Sequence, residues 1–245
     1  MKFLVLSSRN SKEILRDPIN LFFGVGFPII LLLLLSAIQL NVPTNLFHIN
    51  NLSPGIVIFG LSFFSLFSGT LIAKDRASSF MMRLFASPLT STDFIVGYTF
   101  PFVPIAFIQV LITFTSSVFF GFRFNLNTLF ALFTVIPTIF LYIDIGIGLL
   151  AGSIFNDKQV GAVCGALLTN ISAWLSGVWF DIKLLGKTFE NIANFLPFVH
   201  AVEASRAAVH GNYSSAFSNL WWVTVYTLVI FIVAILVFKE KMKNI

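Results

Sequence analysis

The sequence predicts an all-α membrane protein that crosses a bilayer six times, and three observations carry that prediction. The 245 residues are 57% apolar and only 10% charged, against about 25% charged in soluble domains. The apolar residues fall in blocks of roughly 20, the length that crosses a hydrocarbon layer of about 30 Å at about 1.5 Å per residue. The blocks lack the period-two alternation of barrel strands, and inside a bilayer only helices and closed barrels satisfy all their backbone donors and acceptors.

Residues 1–18 mix Lys2, Arg9, Lys12 and Arg16 with short apolar stretches. They lack the long apolar core and cleavage site of a signal peptide, so they read as an N-terminal interfacial helix ending at Pro18. The first span is expected at 19–40, around the run Ile29 to Leu35. A polar link over 41–54, free of Lys and Arg, leads to the second span at 55–73. The interval 74–93 sets Lys74, Asp75, Arg76 and Arg83 among Phe80, Met81, Leu84 and Phe85, the spacing of a short amphipathic surface helix. Pro88 ends it, because the residue before a proline disfavours helix. The third span, 94–120, holds Pro101 and Pro104, and the fourth, 128–154, holds Pro137, so both are expected to kink. After a short turn the fifth span follows at 160–180. The polar segment from Asp181 to Asn219 precedes the sixth span at 220–238 and the basic tail of Lys239, Lys241 and Lys243. Nothing in the chain marks a soluble domain, a repeat or a low-complexity tail, and residues 1–245 read as one transmembrane domain.

Eleven Lys and Arg residues fall on one side of this arrangement: the N-terminal four, Lys74, Arg76, Arg83, Lys158 and the tail. The other side has four, Arg123, Lys183, Lys187 and Arg206. Basic residues near span ends stay in the cytoplasm, so both termini and the 74–93 helix are expected inside and the 181–219 segment outside. The net charge of +5 is spread over span ends rather than gathered in a dense run, and no nucleic-acid partner is expected. Cys164 stands alone in an apolar block, which offers neither a disulfide nor a thiol metal cluster. There is no HExxH, GxSxG or Cys/His cluster, and His48, His200 and His210 fall in predicted extracellular segments. No catalytic or metal-binding residue is therefore assigned, and the chain is not expected to be an enzyme. Gly186-Lys187-Thr188 imitates the end of a phosphate-binding loop, but Asp181 stands where that pattern needs its first glycine. The chain by itself is not expected to bind nucleotide.

Two segments are more specific. The first runs Lys74-Asp75-Arg76-Ala77-Ser78-Ser79-Phe80-Met81-Met82-Arg83-Leu84-Phe85-Ala86-Ser87-Pro88-Leu89. The second is Leu175-Ser176-Gly177, followed about twenty residues later by Leu196-Pro197-Phe198-Val199-His200-Ala201-Val202-Glu203-Ala204-Ser205-Arg206. With Pro54-Gly55 opening the second span, their order and spacing resemble the type-2 ABC transporter permease family over essentially the whole chain. That resemblance implies six spans, an N-terminal interfacial helix, a cytoplasmic coupling helix between spans two and three, and short extracellular helices between spans five and six. It also implies a second permease subunit, as homodimer or heterodimer, and two copies of a separate ABC ATPase that supplies ATP and Mg, with no cofactor on this chain. Two departures stand out: Ala77 and Ser78-Ser79 replace the family's usual acidic residue and Gly-Thr, and Trp179-Phe180-Asp181 lacks the proline that often follows the Ser-Gly.

The resemblance assigns Asp75, Arg76, Phe80, Met81, Arg83, Leu84, Phe85 and Pro88 to the ATPase-coupling helix. An apolar stripe rimmed by arginines suits a groove on a soluble partner, and anionic lipid is the competing surface. Extracellular gate candidates are Leu196, Pro197, His200, Glu203 and Arg206, with Glu203 and Arg206 spaced to pair. Asp144 falls near mid-bilayer, where a carboxylate costs about 2.5–3.5 kcal/mol. It reads either as a path or gating residue or as a hydrogen-bonded or protonated carboxyl packed inside the bundle. Gly148 with Gly152, and Gly161 with Gly165, have the spacing for close helix packing, within the subunit or between subunits. Phe63, Phe64 and Phe67 face lipid by default or line a path for a hydrophobic passenger. The resulting expectation is a multi-pass permease subunit of an ATP-driven exporter in a bacterial plasma membrane, in contact with membrane lipids. Its short loops favour a small hydrophobic or amphiphilic substrate, a drug, antimicrobial peptide or lipid, over a polysaccharide. The alternative from another class is a membrane scaffold or immunity protein that binds a partner without transport.

Overall fold

The computed structural model describes residues 2–41, 47–85, 89–143 and 148–243, and among them all regular structure is helical, with no strand. Helix α1 (Lys2–Leu15) falls where the interfacial helix is expected. Pro18, predicted to end it, instead opens α2 (Pro18–Leu21), with the Asp17 carboxylate accepting from Asn20 N at 3.1 Å. A proline at the first helical position costs no hydrogen bond. The chain continues through a π-helical stretch, Phe22–Gly26, into α3 (Phe27–Gln39).

Helix α4 (Ile49–Ala77) starts six residues before the predicted span and ends four after it. Its polar first turn is helical because His48 caps it and the Ser53 hydroxyl bonds Ile49 O at 2.8 Å. Next come α5 (Ser79–Phe85), α6 (Ser91–Thr99), closed by a Thr90–Asp93 capping box, and α7 (Phe102–Ser117), with the break between α6 and α7 at Pro101. The bundle continues with α8 (Leu126–Ile143), which contains Pro137, α9 (Gly148–Ile154), α10 (Asp157–Val160), a π-helical stretch Gly161–Leu168, and α11 (Thr169–Leu175). Helices α12 (Lys187–Phe195) and α13 (Pro197–Val209) occupy the polar segment before α14 (Tyr213–Lys243), where short helices were expected.

Among the described residues, four helical stretches are long and apolar enough to cross a membrane: Pro18–Gln39, Ile49–Ala77, Thr92–Phe120 and Tyr213–Val237, with Leu126–Tyr142 a shorter apolar helix. The predicted fourth span falls on α8 and α9, and the predicted fifth on the continuous helical run from α10 through the π stretch to α11; neither is among these four. Residues 144–147, and Asp144 with them, lie outside the described residues.

The α4 helix is the axis of the fold. Its apolar stretch is 83% buried, against 28% for Pro18–Gln39 and 22% for Tyr213–Val237, and α3, α7, α8, α9 and α13 pack around it. The sequence permits this because α4 carries Gly60, Ser62, Ser65, Ser68 and Gly69 toward its neighbours. The Ser62 and Ser65 hydroxyls fold back onto Phe59 O and Ser62 O at 2.6 Å each, so small polar residues sit in the core without stranded donors. On the facing helix, a methyl group at Gly148 would lie 2.0 Å from Ser68 Oγ and 2.8 Å from Ser65 O, and one at Gly152 would lie 2.5 Å from Gly69 O. These two glycines therefore serve packing within the chain. A methyl at Gly161 would meet nothing within 4 Å, and one at Gly165 would meet Leu66 at 3.1 Å. Phe64 and Phe67, expected on lipid or a path, are core residues. Phe64 packs edge-on to Phe102, and Phe63 meets Phe27 and Phe59.

Candidate functional site

The two ends of α4 carry the polar chemistry. From Asn51 to Asp75 the helix rises about 36 Å at about 1.5 Å per residue, so the two clusters stand on opposite faces of the bundle.

At the α5 end, Asp75 is 3% exposed and surrounded by donors. Arg9 of α1 grips it with both guanidinium nitrogens, Nη1 to Oδ2 at 2.5 Å and Nη2 to Oδ1 at 2.9 Å. The Tyr98 hydroxyl of α6 donates to Oδ2 at 2.5 Å. Arg9 also pairs with Glu13 at 2.6 Å and lies 4.5 Å from the centre of the Phe80 ring of α5. Burial opposes the charge on Arg9, but the hydrogen bond and charge of Asp75, with Glu13 adding to them, outweigh it and raise the guanidinium pKa. Asn10 Nδ2 donates to Gly97 O at 3.1 Å, and Leu6 covers Gly97, where a methyl would come within 2.8 Å. One residue beyond Asp75, Arg76 Nη1 donates to Gly152 O of α9 at 2.9 Å.

The eight residues of the expected coupling segment divide accordingly. Asp75 and Arg76 belong to the end of α4, and only Phe80 to Phe85 belong to α5. Met81 is buried, and Phe80 and Leu84 pack in part on the chain's own core. The face left exposed is basic, with Lys74, Arg76 and Arg83. Phe85 closes α5, and Pro88 lies outside the described residues.

At the α13 end, Arg206 joins three elements. Its Nε donates to Asn51 O in the first turn of α4, Nη2 to Gly177 O after α11, and Nη1 to Glu203 on its own helix, each at 3.0 Å. Gly177 has a φ of +70°, a left-handed conformation that glycine adopts without strain and that ends helices. Pro197 takes the first position of α13, after Leu196 in extended conformation. The His200 ring lies parallel to Trp222 at 5.3 Å, with Nδ1 2.7 Å from Asn219 Oδ1 and Nε2 2.8 Å from Asn194 O. A cavity of about 640 Å³ opens between these helices and α4, lined by Asn51, Asp181, Glu190, Asn194, Glu203 and Arg206 among others.

The structure thus brings together Leu196, Pro197, His200, Glu203 and Arg206 at one end, and Asp75, Arg76 and Phe80 at the other. The sequence reading did not place Arg9, Asn10 and Tyr98 in the second cluster or Asn51 in the first, and it named Gly177 only within the Leu175-Ser176-Gly177 motif. The one available signal was Asp75, an acidic residue at a span end that needs donors.

The ABC-2 type transporter family matches residues 1–210. The chain belongs to the ABC-2 type transporter family. This ABC-2 permease is 27% identical over 229 residues to the putative transport permease ycf38 of Pyropia yezoensis, covering 89% of the chain and 78% of that relative. It is 32% identical over 136 residues to the same-named protein of Porphyra purpurea, covering 52% and 47%. It is 29% identical over 105 residues to CtrC, a capsule polysaccharide export inner-membrane protein of Neisseria meningitidis serogroup B, covering 42% and 39%. No solved structure matches it. The ABC-2 permease is therefore a multi-pass membrane protein of a transport family, and membership implies an ABC ATPase partner.

Proposed function

We propose that this chain is the transmembrane permease subunit of an ATP-driven exporter, one six-span domain over residues 1–245 with α8–α9 and α10–α11 as its fourth and fifth spans. The carrying observation is the α5 end of the bundle, where short α5 lies between two long apolar helices and, together with the last turn of α4, leaves Lys74, Arg76 and Arg83 exposed. That face docks an ABC ATPase, two copies of which serve a pair of permease subunits and supply the ATP and Mg chemistry. Both termini lie on the ATPase side, in a bacterial plasma membrane in contact with its lipids. The α13 end is then the exit side, with Arg206 holding the outer ends of α4 and α11 together.

The passenger in this reading is small and hydrophobic or amphiphilic, such as a drug, antimicrobial peptide or lipid. A polysaccharide is the second reading. It is favoured by the likeness to CtrC, a capsule polysaccharide export protein, and by the polar cavity at the α13 end, whose carboxylates and amides suit hydroxyl groups. The function is tested by tagging the chain, extracting native membranes in mild detergent and identifying co-purifying proteins. A soluble ATPase is expected with the native chain and not with Arg83→Glu plus Leu84→Asp. Folded protein recovered repeatedly without an ATPase would replace transport with a scaffold or immunity role.

A further inference from the structure

The chain between α4 and α5 contains one non-helical residue, Ser78, with φ −99° and ψ 160°. A single extended residue between two helices is a joint at which their angle can change. A push on α5 that is absorbed at such a joint never reaches α4. Two local bonds stiffen it, Ser78 Oγ to Asp75 O at 2.8 Å and Phe80 N to Ser78 Oγ at 3.2 Å, and both stay within one turn of the joint itself. Besides the apolar packing of Met81, Phe80 and Leu84 on the core, Arg9 bridges it from outside with a polar contact. Its fork holds Asp75 on the α4 side while its Cζ lies over the Phe80 ring on the α5 side, 4.5 Å from the ring centre. A guanidinium can grip the carboxylate with two nitrogens and still lie over the ring, whereas an ammonium, a point charge, does this without the two-point grip.

We propose that Arg9 is a positioning residue that locks α5 to α4 across the Ser78 joint, so that displacement of α5 by the ATPase is delivered to α4 instead of being lost at the joint. This rests on the reading that α5 docks the ATPase. The lock has rigid backing: Tyr98 holds the second side of Asp75, Asn10 ties α1 to Gly97, and Arg76 ties the same turn of α4 to α9. With α4 buried along its length, movement at Asp75 arrives at Asn51, where Arg206 clasps the exit-side helices.

The test uses the full chain in complex with its co-purified ATPase and follows backbone hydrogen exchange with and without ATP plus vanadate. In the native complex, trapping is expected to change exchange in residues 79–85 and also at the far end of α4, residues 49–55. Phe80→Leu keeps the Asp75 pair and an apolar side chain but removes the ring face. In Phe80→Leu and Arg9→Ala the response at 79–85 is expected to persist while the response at 49–55 falls at least threefold, with Arg9→Lys between native and Arg9→Ala. If Arg9→Ala fails to fold, Phe80→Leu carries the test. A full response at 49–55 in Phe80→Leu overturns the lock while leaving docking intact. A native complex in which 79–85 does not respond overturns the docking reading, and the lock with it.

Discussion

Arg206 and Asp75 are the residues on which each end of the molecule turns, and their environments differ. Arg206 keeps 16% of its side chain exposed and donates to two backbone carbonyls and one carboxylate. Hydrogen bonds involving a charged group contribute about 1.5–3 kcal/mol each, and the carbonyls left behind in Arg206→Ala regain some water. Arg206→Ala is therefore expected to lower unfolding free energy by about 3 kcal/mol, read as a lower melting temperature of the detergent-purified protein. Arg206→Lys should recover less than half, because an ammonium cannot serve three acceptors in that forked geometry. The Glu203–Arg206 pair was legible from its three-residue spacing. The two carbonyls were not, because every residue has one and sequence does not say which comes near.

At the scale of elements, the contact of α4 with α9 depends on absent side chains. Overpacking a tight contact costs about 1–3 kcal/mol. Gly148→Ala and Gly152→Ala are expected to destabilise the purified protein by at least that range, whereas Gly161→Ala, which meets open space, should stay within about 0.5 kcal/mol. Thermal unfolding of the three variants in one detergent checks this. The spacing of the two glycine pairs is the same in sequence, and their surroundings separate them. Helix α5 teaches a related lesson. Its sequence shows an apolar stripe, but an amphipathic pattern does not say what covers it. Here Met81 and part of Phe80 and Leu84 are covered by the chain's own core.

At the scale of the whole molecule, orientation is the property most exposed to test. Lys158 and Lys187 are exposed at opposite ends of the fifth predicted span, and the buried Cys164 can be replaced by Ala to give a clean background. With the basic side inside, Lys187→Cys should react with an impermeant maleimide in intact cells. Lys158→Cys should react only after permeabilisation. The reverse pattern would place the α5 helix outside, away from any ATPase, and would overturn the exporter reading.

All-helical membrane architecture and the family were legible in the amino-acid sequence alone, because apolar length and motif spacing are local properties. Boundaries shifted where a cap or a fold-back hydroxyl extended a helix past its apolar block, as His48 and Ser53 do for α4. Tertiary structure alone decided that α4 is the axis, that α5 buries Met81, and that Arg9 and Arg206 close the two ends of α4. Those bonds join residues 66 and 155 positions apart. A guanidinium finds its acceptor through packing of whole helices, which no local pattern encodes.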